Sequence, residues 1–118
     1  IMPAVARKDG VDTVDTVHVA IGDKNPLDNI TCDLAPKKTA TQMGSSTVFV
    51  NGTGAVRLGD NVAVHTFAGV GCPTHAPGLV SGSPNVFVEG KALGRKNDTY
   101  GCTAKIISGS SNVYANGN

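Results

Sequence analysis

Three short stretches of the chain carry one hydrophobic pattern. Gly44-Ser45-Ser46-Thr47-Val48-Phe49-Val50-Asn51-Gly52 recurs as Gly82-Ser83-Pro84-Asn85-Val86-Phe87-Val88-Glu89-Gly90 and again as Gly109-Ser110-Ser111-Asn112-Val113-Tyr114-Ala115-Asn116-Gly117. The common form is GS-x-[TN]-V-[FY]-[VA]-x-G. A Gly-Ser turn opens each copy, a short strand of alternating residues follows, and an Asn-Gly or Glu-Gly pair closes it. Such pairs signal a hairpin, because glycine accepts the positive φ that a tight two-residue turn demands. The pattern predicts three short hairpins.

A looser repeat follows the turn, in which small residues lead to an arginine and then an aspartate. Gly54-Ala55-Val56-Arg57-Leu58-Gly59-Asp60 matches Ala92-Leu93-Gly94-Arg95-Lys96-Asn97-Asp98, and Pro3-Ala4-Val5-Ala6-Arg7-Lys8-Asp9 reads as a third copy. This N-terminal copy has no Gly-Ser strand before it, so residues 109–117 would supply one and close the chain on itself. Three equivalent hairpins round an axis give one polypeptide an approximate threefold symmetry. Residues 19–43, with Pro26, Asp28 and Pro36, interrupt the pattern and read as an inserted loop in a single domain spanning residues 1–118.

Composition agrees with an all-β fold. Valine occurs fifteen times against five leucines, glycine fifteen times, and one glutamate stands against eight aspartates. Good helix formers are scarce while β-branched and turn residues abound, which excludes a helical bundle. With aromatics at 4% and no tryptophan, the core must be built mostly of valine and alanine, so something besides core volume has to help hold it. The charged fraction is 16% and the net charge +1, with no basic run longer than two residues, as at Lys37-Lys38. That leaves no basic face for a nucleic-acid backbone or an anionic membrane. The stretch from Asn61 to Val88 lacks Asp, Glu, Lys and Arg but is broken by prolines, glycines and two histidines, so no spanning helix is expected. The N-terminus lacks the apolar segment of a secretory signal, which points to synthesis in the bacterial cytoplasm without a signal peptide.

The candidate chemistry lies in the arcs between repeated strands. His65 follows Asp60 by five residues and His75 precedes Gly82 by seven, while Cys102 follows Asp98 by four and precedes Gly109 by seven. His18 comes eleven residues after Arg7. Were the arcs to converge at one end, three imidazoles and a thiolate would meet, and that is the ligand set of a closed tetrahedral zinc site. A small fold poor in large apolar residues gains from such a staple. Cys72, in Cys72-Pro73-Thr74-His75, is the rival fourth ligand, although its position has no counterpart in the other arcs; Cys32 sits in the insertion and reads as a packed thiol. Three histidines alone could hold an open zinc with an activated water, making a zinc hydrolase or hydratase, and Cys102 discriminates because a thiolate closes the sphere. A metal-free β-structured virion or adhesion module is the third class. No G-x-S-x-G, P-loop or paired-carboxylate motif is present, so nucleophilic and phosphoryl-transfer chemistry has no support. Arg7, Arg57 and Arg95, each with an aspartate two or three residues on, read as structural ion pairs.

On these residues the chain resembles the PAAR-repeat family, the pointed tip proteins of contractile phage tails and type VI secretion systems. The three GS-x-[TN]-V-[FY] strands, the segment Pro3-Ala4-Val5-Ala6-Arg7, and the arginine-aspartate units ahead of His65 and Cys102 carry the resemblance. The family's Pro-Ala-Ala-Arg is degenerate in the later copies, Thr53-Gly54-Ala55-Val56-Arg57 and Lys91-Ala92-Leu93-Gly94-Arg95. The resemblance implies a compact conical fold whose broad base caps a homotrimeric β-helical spike, one tip per trimer, with one structural zinc near the apex. Family members bind zinc through three histidines and a cysteine, and the matching arcs hold His18, His65, His75 and Cys102. By the same resemblance the protein is no enzyme and is a monomer by itself. It would act as a bare tip at the end of a phage tail or secretion spike, meeting the target cell envelope transiently.

Overall fold

A computed structural model of the chain describes residues 3–16, 38–66 and 74–115. Among these the regular structure is all β, in short pieces: β1 (Thr13–Asp15), β2 (Lys38–Ala40), β3 (Phe49–Val50), β4 (Thr53–Gly54), β5 (His65–Thr66), β6 (Thr74–His75), β7 (Phe87–Val88), β8 (Lys91–Ala92) and β9 (Lys105–Ile106).

The repeated hairpins form where the pattern predicts them. Strand β3 pairs with β4 in the register Phe49↔Gly54 and Val50↔Thr53, and β7 pairs with β8 as Phe87↔Ala92 and Val88↔Lys91. Each pair is joined by two residues with positive φ, Asn51 (53°) and Gly52 (80°) or Glu89 (55°) and Gly90 (79°). That is a type I′ turn, whose twist matches the strands it connects. The third hairpin is assembled from both ends of the chain. Tyr114 bridges Ala4, and the Ala115 amide donates to the Pro3 carbonyl at 3.0 Å. The chain closes on itself as the repeat predicts.

The Gly-Ser opening of each copy has a structural reason. The hydroxyl of Ser45 accepts the amides of Thr47 and Val48 at 3.0 and 2.9 Å. Ser83 does the same for Asn85 and Val86, and Ser110 for Asn112 and Val113. These buried serines satisfy turn amides that no strand reaches. Their own amides donate to the carbonyls of Ala55, Leu93 and Val5, one per copy. The preceding glycine is required by that approach: a Cβ on Gly44 would stand 2.7 Å from the Ala55 oxygen, and on Gly82 or Gly109 3.0 Å from its counterpart.

Above the hairpins the three small-residue segments meet at the pseudo-threefold axis. The Ala6 amide donates to the Gly94 carbonyl at 3.0 Å, the Gly94 amide to Val56 at 2.7 Å, and the Val56 amide to Ala6 at 3.1 Å, a closed triangle of backbone hydrogen bonds. On its hairpin side lies one apolar cluster, Val5, Val50, Ala55, Val88, Leu93 and Ala115. On its arc side lies another, Ala6, Val14, Val56, Val62, Leu79, Tyr100, Ala104 and Ile106. Valine and alanine dominate both, as composition requires.

The arcs themselves form a closed ring. Within arcs, β1 pairs with β2, Asn61 bridges Gly78, and Thr99 bridges Lys105. Between arcs, Val14 faces Ile106, Thr41 bridges Val62, and Leu79 bridges Tyr100. All six pairings are antiparallel, so the described parts of the three arcs run side by side. One boundary differs from the sequence reading. Residues 38–43 of the expected inserted loop belong to the fold, because Lys38–Ala40 is the returning strand β2 and Thr41 fills, fully buried, the place that Leu79 and Ile106 hold in the other arcs. A threonine there hides the repeat from sequence comparison. Residues 19–37 lie outside the described residues.

Candidate functional site

Three features distinguish the two ends of this body. The first is the arc tips. His65 and His75 occupy directly opposed positions of the β5–β6 pair. Opposed residues of an antiparallel pair have Cβ atoms about 4.5–5.5 Å apart on one face. Cys102 stands in the neighbouring arc, on a tight turn in which Thr103 has φ of 68° and the Tyr100 amide donates to Ala104 at 2.8 Å. The adjacent Gly101 amide donates to Gly78 at 3.0 Å, so this turn lies against the strand that has just left His75. His75 and Cys102 are symmetry equivalents, each four residues before the buried Leu79 or Ile106. Cys102 is half-buried against the apolar cluster on the arc side. His18, Cys72 and Cys32 lie outside the described residues, and among the described residues no three of His, Cys, Asp and Glu group as metal ligands. A His–His register pair flanked by a cysteine-bearing turn suits zinc by donor type.

The second feature is the ring of three arginine-aspartate pairs. The Arg57 amide, Nε and Nη2 all donate to the Asp60 carboxylate, at 2.8, 2.9 and 3.0 Å. Arg95 repeats this with Asp98 at 2.8, 3.0 and 3.2 Å. In the first copy the partner is Asp12, at 2.7, 3.1 and 2.9 Å, and not the expected Asp9. The chain spends extra residues between Arg7 and its aspartate, and Asp9 instead takes a positive φ of 59° on the surface. These pairs are bidentate and buried on the carboxylate side, with Asp12, Asp60 and Asp98 at 0%, 3% and 5% exposure. The aspartate hydrogen bonds hold Arg7 and Arg57 above the ordinary arginine pKa. The guanidinium groups are thereby committed to structure, as the sequence reading expected.

The third is the outer surface of the hairpin layer. Phe49, Phe87 and Tyr114, the [FY] position of the three copies, are 57%, 60% and 49% exposed, and Val48 and Val113 are exposed beside them. The next residue of each copy, Val50, Val88 or Ala115, is buried. The Tyr114 hydroxyl donates to the Ser111 carbonyl at 3.0 Å, so its polar end is already satisfied. Round this face the turn residue of one copy clasps the next. Glu89 accepts from Arg57 Nη1 and from Thr47 Oγ1, both at 2.5 Å. Asn51 accepts from Ser110 Oγ at 2.6 Å and donates to Asn112 at 2.9 Å. Hydrogen bonds to Thr47 and Ser45, then the charge of Arg57, hold the Glu89 carboxyl below its ordinary pKa. Sequence reading missed these clasps. Their only trace is the [TN] slot of the repeat, whose side chain proves to be the clasp's receptor.

The ring of antiparallel arcs on a pseudo-threefold hairpin layer defines a single-chain β cone with a structural axis and no catalytic constellation among the described residues. Residues 70–118 match the PAAR motif family. The resemblance drawn from the repeated strands is borne out there, and the symmetry carries the same pattern through residues 3–16 and 38–66. The PAAR motif is a structural, spike-tip motif of secretion and toxin-delivery systems. The chain is also similar to the Double-stranded DNA deaminase toxin A of Burkholderia cenocepacia (strain H111), 36% identical over 76 residues. That match covers 63% of this chain and 5% of the toxin, so the chain spans about a twentieth of the relative it matches. No helix among the described residues is long and apolar enough to cross a membrane.

Proposed function

We propose that this chain is the sharpened tip of a contractile injection machine, a phage tail or type VI secretion spike, seated singly on the blunt end of a homotrimeric β-helical spike. The observation that carries the reading is the trio of exposed aromatics, Phe49, Phe87 and Tyr114, presented by one chain at positions related by a threefold. A pseudo-threefold face can meet a true threefold end with each spike chain contacted alike. Exposed apolar surface of this kind marks an interaction site, and the self-satisfied Tyr114 hydroxyl can be covered without loss of a hydrogen bond.

At the opposite end, one zinc ion held by His18, His65, His75 and Cys102 would tie the arc tips together. These four ligands would complete a tetrahedral set and leave no position open for chemistry. His65 and His75 at opposed register, with Cys102 on the adjoining turn, support this set. The protein's own residues do the rest: the arginine-aspartate ring and the backbone triangle resist splaying when the force of contraction is concentrated on a small area of envelope.

Native mass measurement tests the seating. The isolated chain is expected as a monomer and the complex as one tip on three spike chains, with Phe49→Asp and Phe87→Asp abolishing capture while leaving the fold intact. A homotrimer of the chain, or a 3:3 complex, refutes it. For the ion, elemental analysis should give one zinc per chain, unchanged by serine at both Cys32 and Cys72 and lost in Cys102→Ser, His75→Ala. Zinc lost with Cys72 alone would transfer the fourth ligand to that residue.

A further inference from the structure

We infer that the fold is a covalent ring of three interchangeable hairpins, in which the break in the chain can stand at any one of the three turns. The register of the hairpins carries this, independently of any reading of the tip's partners. In the two continuous hairpins the strands pair as Phe49↔Gly54 with Val50↔Thr53, and as Phe87↔Ala92 with Val88↔Lys91. In the third, Tyr114 bridges Ala4 and the Ala115 amide reaches the Pro3 carbonyl. Tyr114 and Ala115 thus stand to Ala4 and Pro3 as Phe49 and Val50 stand to Gly54 and Thr53. The flanking bonds agree: the amides of Ala55, Leu93 and Val5 donate to Val48, Val86 and Val113, each at 3.0 Å.

Two residues connect Val50 to Thr53 and Val88 to Lys91. The sequence places Asn116-Gly117 after Ala115, the same dipeptide as the Asn51-Gly52 turn. A peptide bond from Gly117 to Pro3, omitting Asn118, Ile1 and Met2, therefore supplies a turn of the correct length and composition. Thr53 and Lys91 stand where a two-residue turn is closed by a backbone amide, which proline lacks, so the joint is made with Pro3→Thr, the residue found at position 53. Conversely, the existing turns are free to open. Nothing stands within 4 Å of a Cβ built on Gly52 or Gly90, and Asn51 and Glu89 are exposed. Each turn sits where the Pro3–Ala115 pairing sits, at the rim of the aromatic face. Gly52 and Gly90 are consequently attachment points for a second polypeptide.

Three proteins test the inference, each carrying Pro3→Thr, made in zinc-containing buffer and compared with the linear Pro3→Thr chain as parent: a backbone-cyclised form with Gly117 joined to residue 3, and two permutants carrying that joint but opened at Asn51/Gly52 or at Glu89/Gly90. A permutant opened at Ala55/Val56, across the axial triangle, is the negative control. The cyclised form should melt above the linear chain, because ring closure removes disorder from the unfolded state. Both turn permutants should fold, melting within about 8 °C of the parent, the shift a turn-sized perturbation produces in a domain of this size. The control should not fold. A cyclised form that melts lower than the parent, or a turn permutant that stays unfolded, overturns the equivalence. So does a control that folds as well as the turn permutants, since the break would then be tolerated anywhere.

Discussion

Tyr100 occupies the axial position that Val14 and Val62 hold in the other arcs, and it is 1% exposed. Its hydroxyl has no hydrogen-bond partner among the described residues. Burial, with the nearby Asp60 and Asp12 charges, pushes the phenol above its ordinary pKa of 10.0. A buried hydroxyl without a partner costs about 1–3 kcal/mol, so Tyr100→Phe is expected to raise the melting temperature. The same substitution should remove an alkaline limb. Because the folded pKa is raised, the neutral phenol's contribution is complete below pH 10 and falls away as pH rises through the folded value. Thermal melts at pH 8 to about pH 11 would show it. A second residue-scale effect arises at the axial triangle, where Ala6, Val56 and Gly94 share one site. A Cβ on Gly94 would meet Leu79 Cδ2 at 2.9 Å and Val56 Cγ1 at 3.0 Å. Gly94→Ala should therefore cost about 1–3 kcal/mol by overpacking, and less in a Val56→Ala background, where one of the two obstructing methyls is gone. A double-mutant cycle read by urea unfolding measures this coupling.

At the scale of elements, hairpins and clasps divide the work. The hairpins were legible because their turns need glycine and their strands need alternation, and both demands are local. The clasps were not, because Glu89 reaches Thr47 and Arg57 across the molecule, and nothing near Glu89 in sequence announces them. Asp12 escaped for a related reason: the pair geometry is kept while the spacing is not. Strand β2 escaped because one threonine replaced an aliphatic residue. Glu89 offers a direct check on the clasp. Its folded pKa lies below 4.5, so its contribution is present above that value and lost as pH falls through the folded one. Replacing Glu89 by Gln should lower the melting temperature at neutral pH, and the difference from the parent should narrow as acidification carries the pH below the ordinary carboxylate range.

For the whole molecule, the two ends differ in what holds them. The hairpin end rests on one apolar cluster and the clasps, and the arc end on the other apolar cluster and a ring of short strands. Under the zinc reading, chelation should lower the melting temperature with little change in the hairpin end, because an ion bound only by the folded state stabilises it by about 4 kcal/mol when free zinc is a thousandfold above Kd. Calorimetry with and without chelator measures the loss. The candidate ligands were legible in part from the sequence, through the matched places of His75 and Cys102, and the opposition of His65 to His75 required the register. The axial triangle has a further consequence in time. Its three bonds join positions 6, 56 and 94, so each third of the chain can close its local pairings but none can complete the axis alone. A refolding chain must gather all three segments before the axial bonds are made. Slow folding is what such long-range closure imposes.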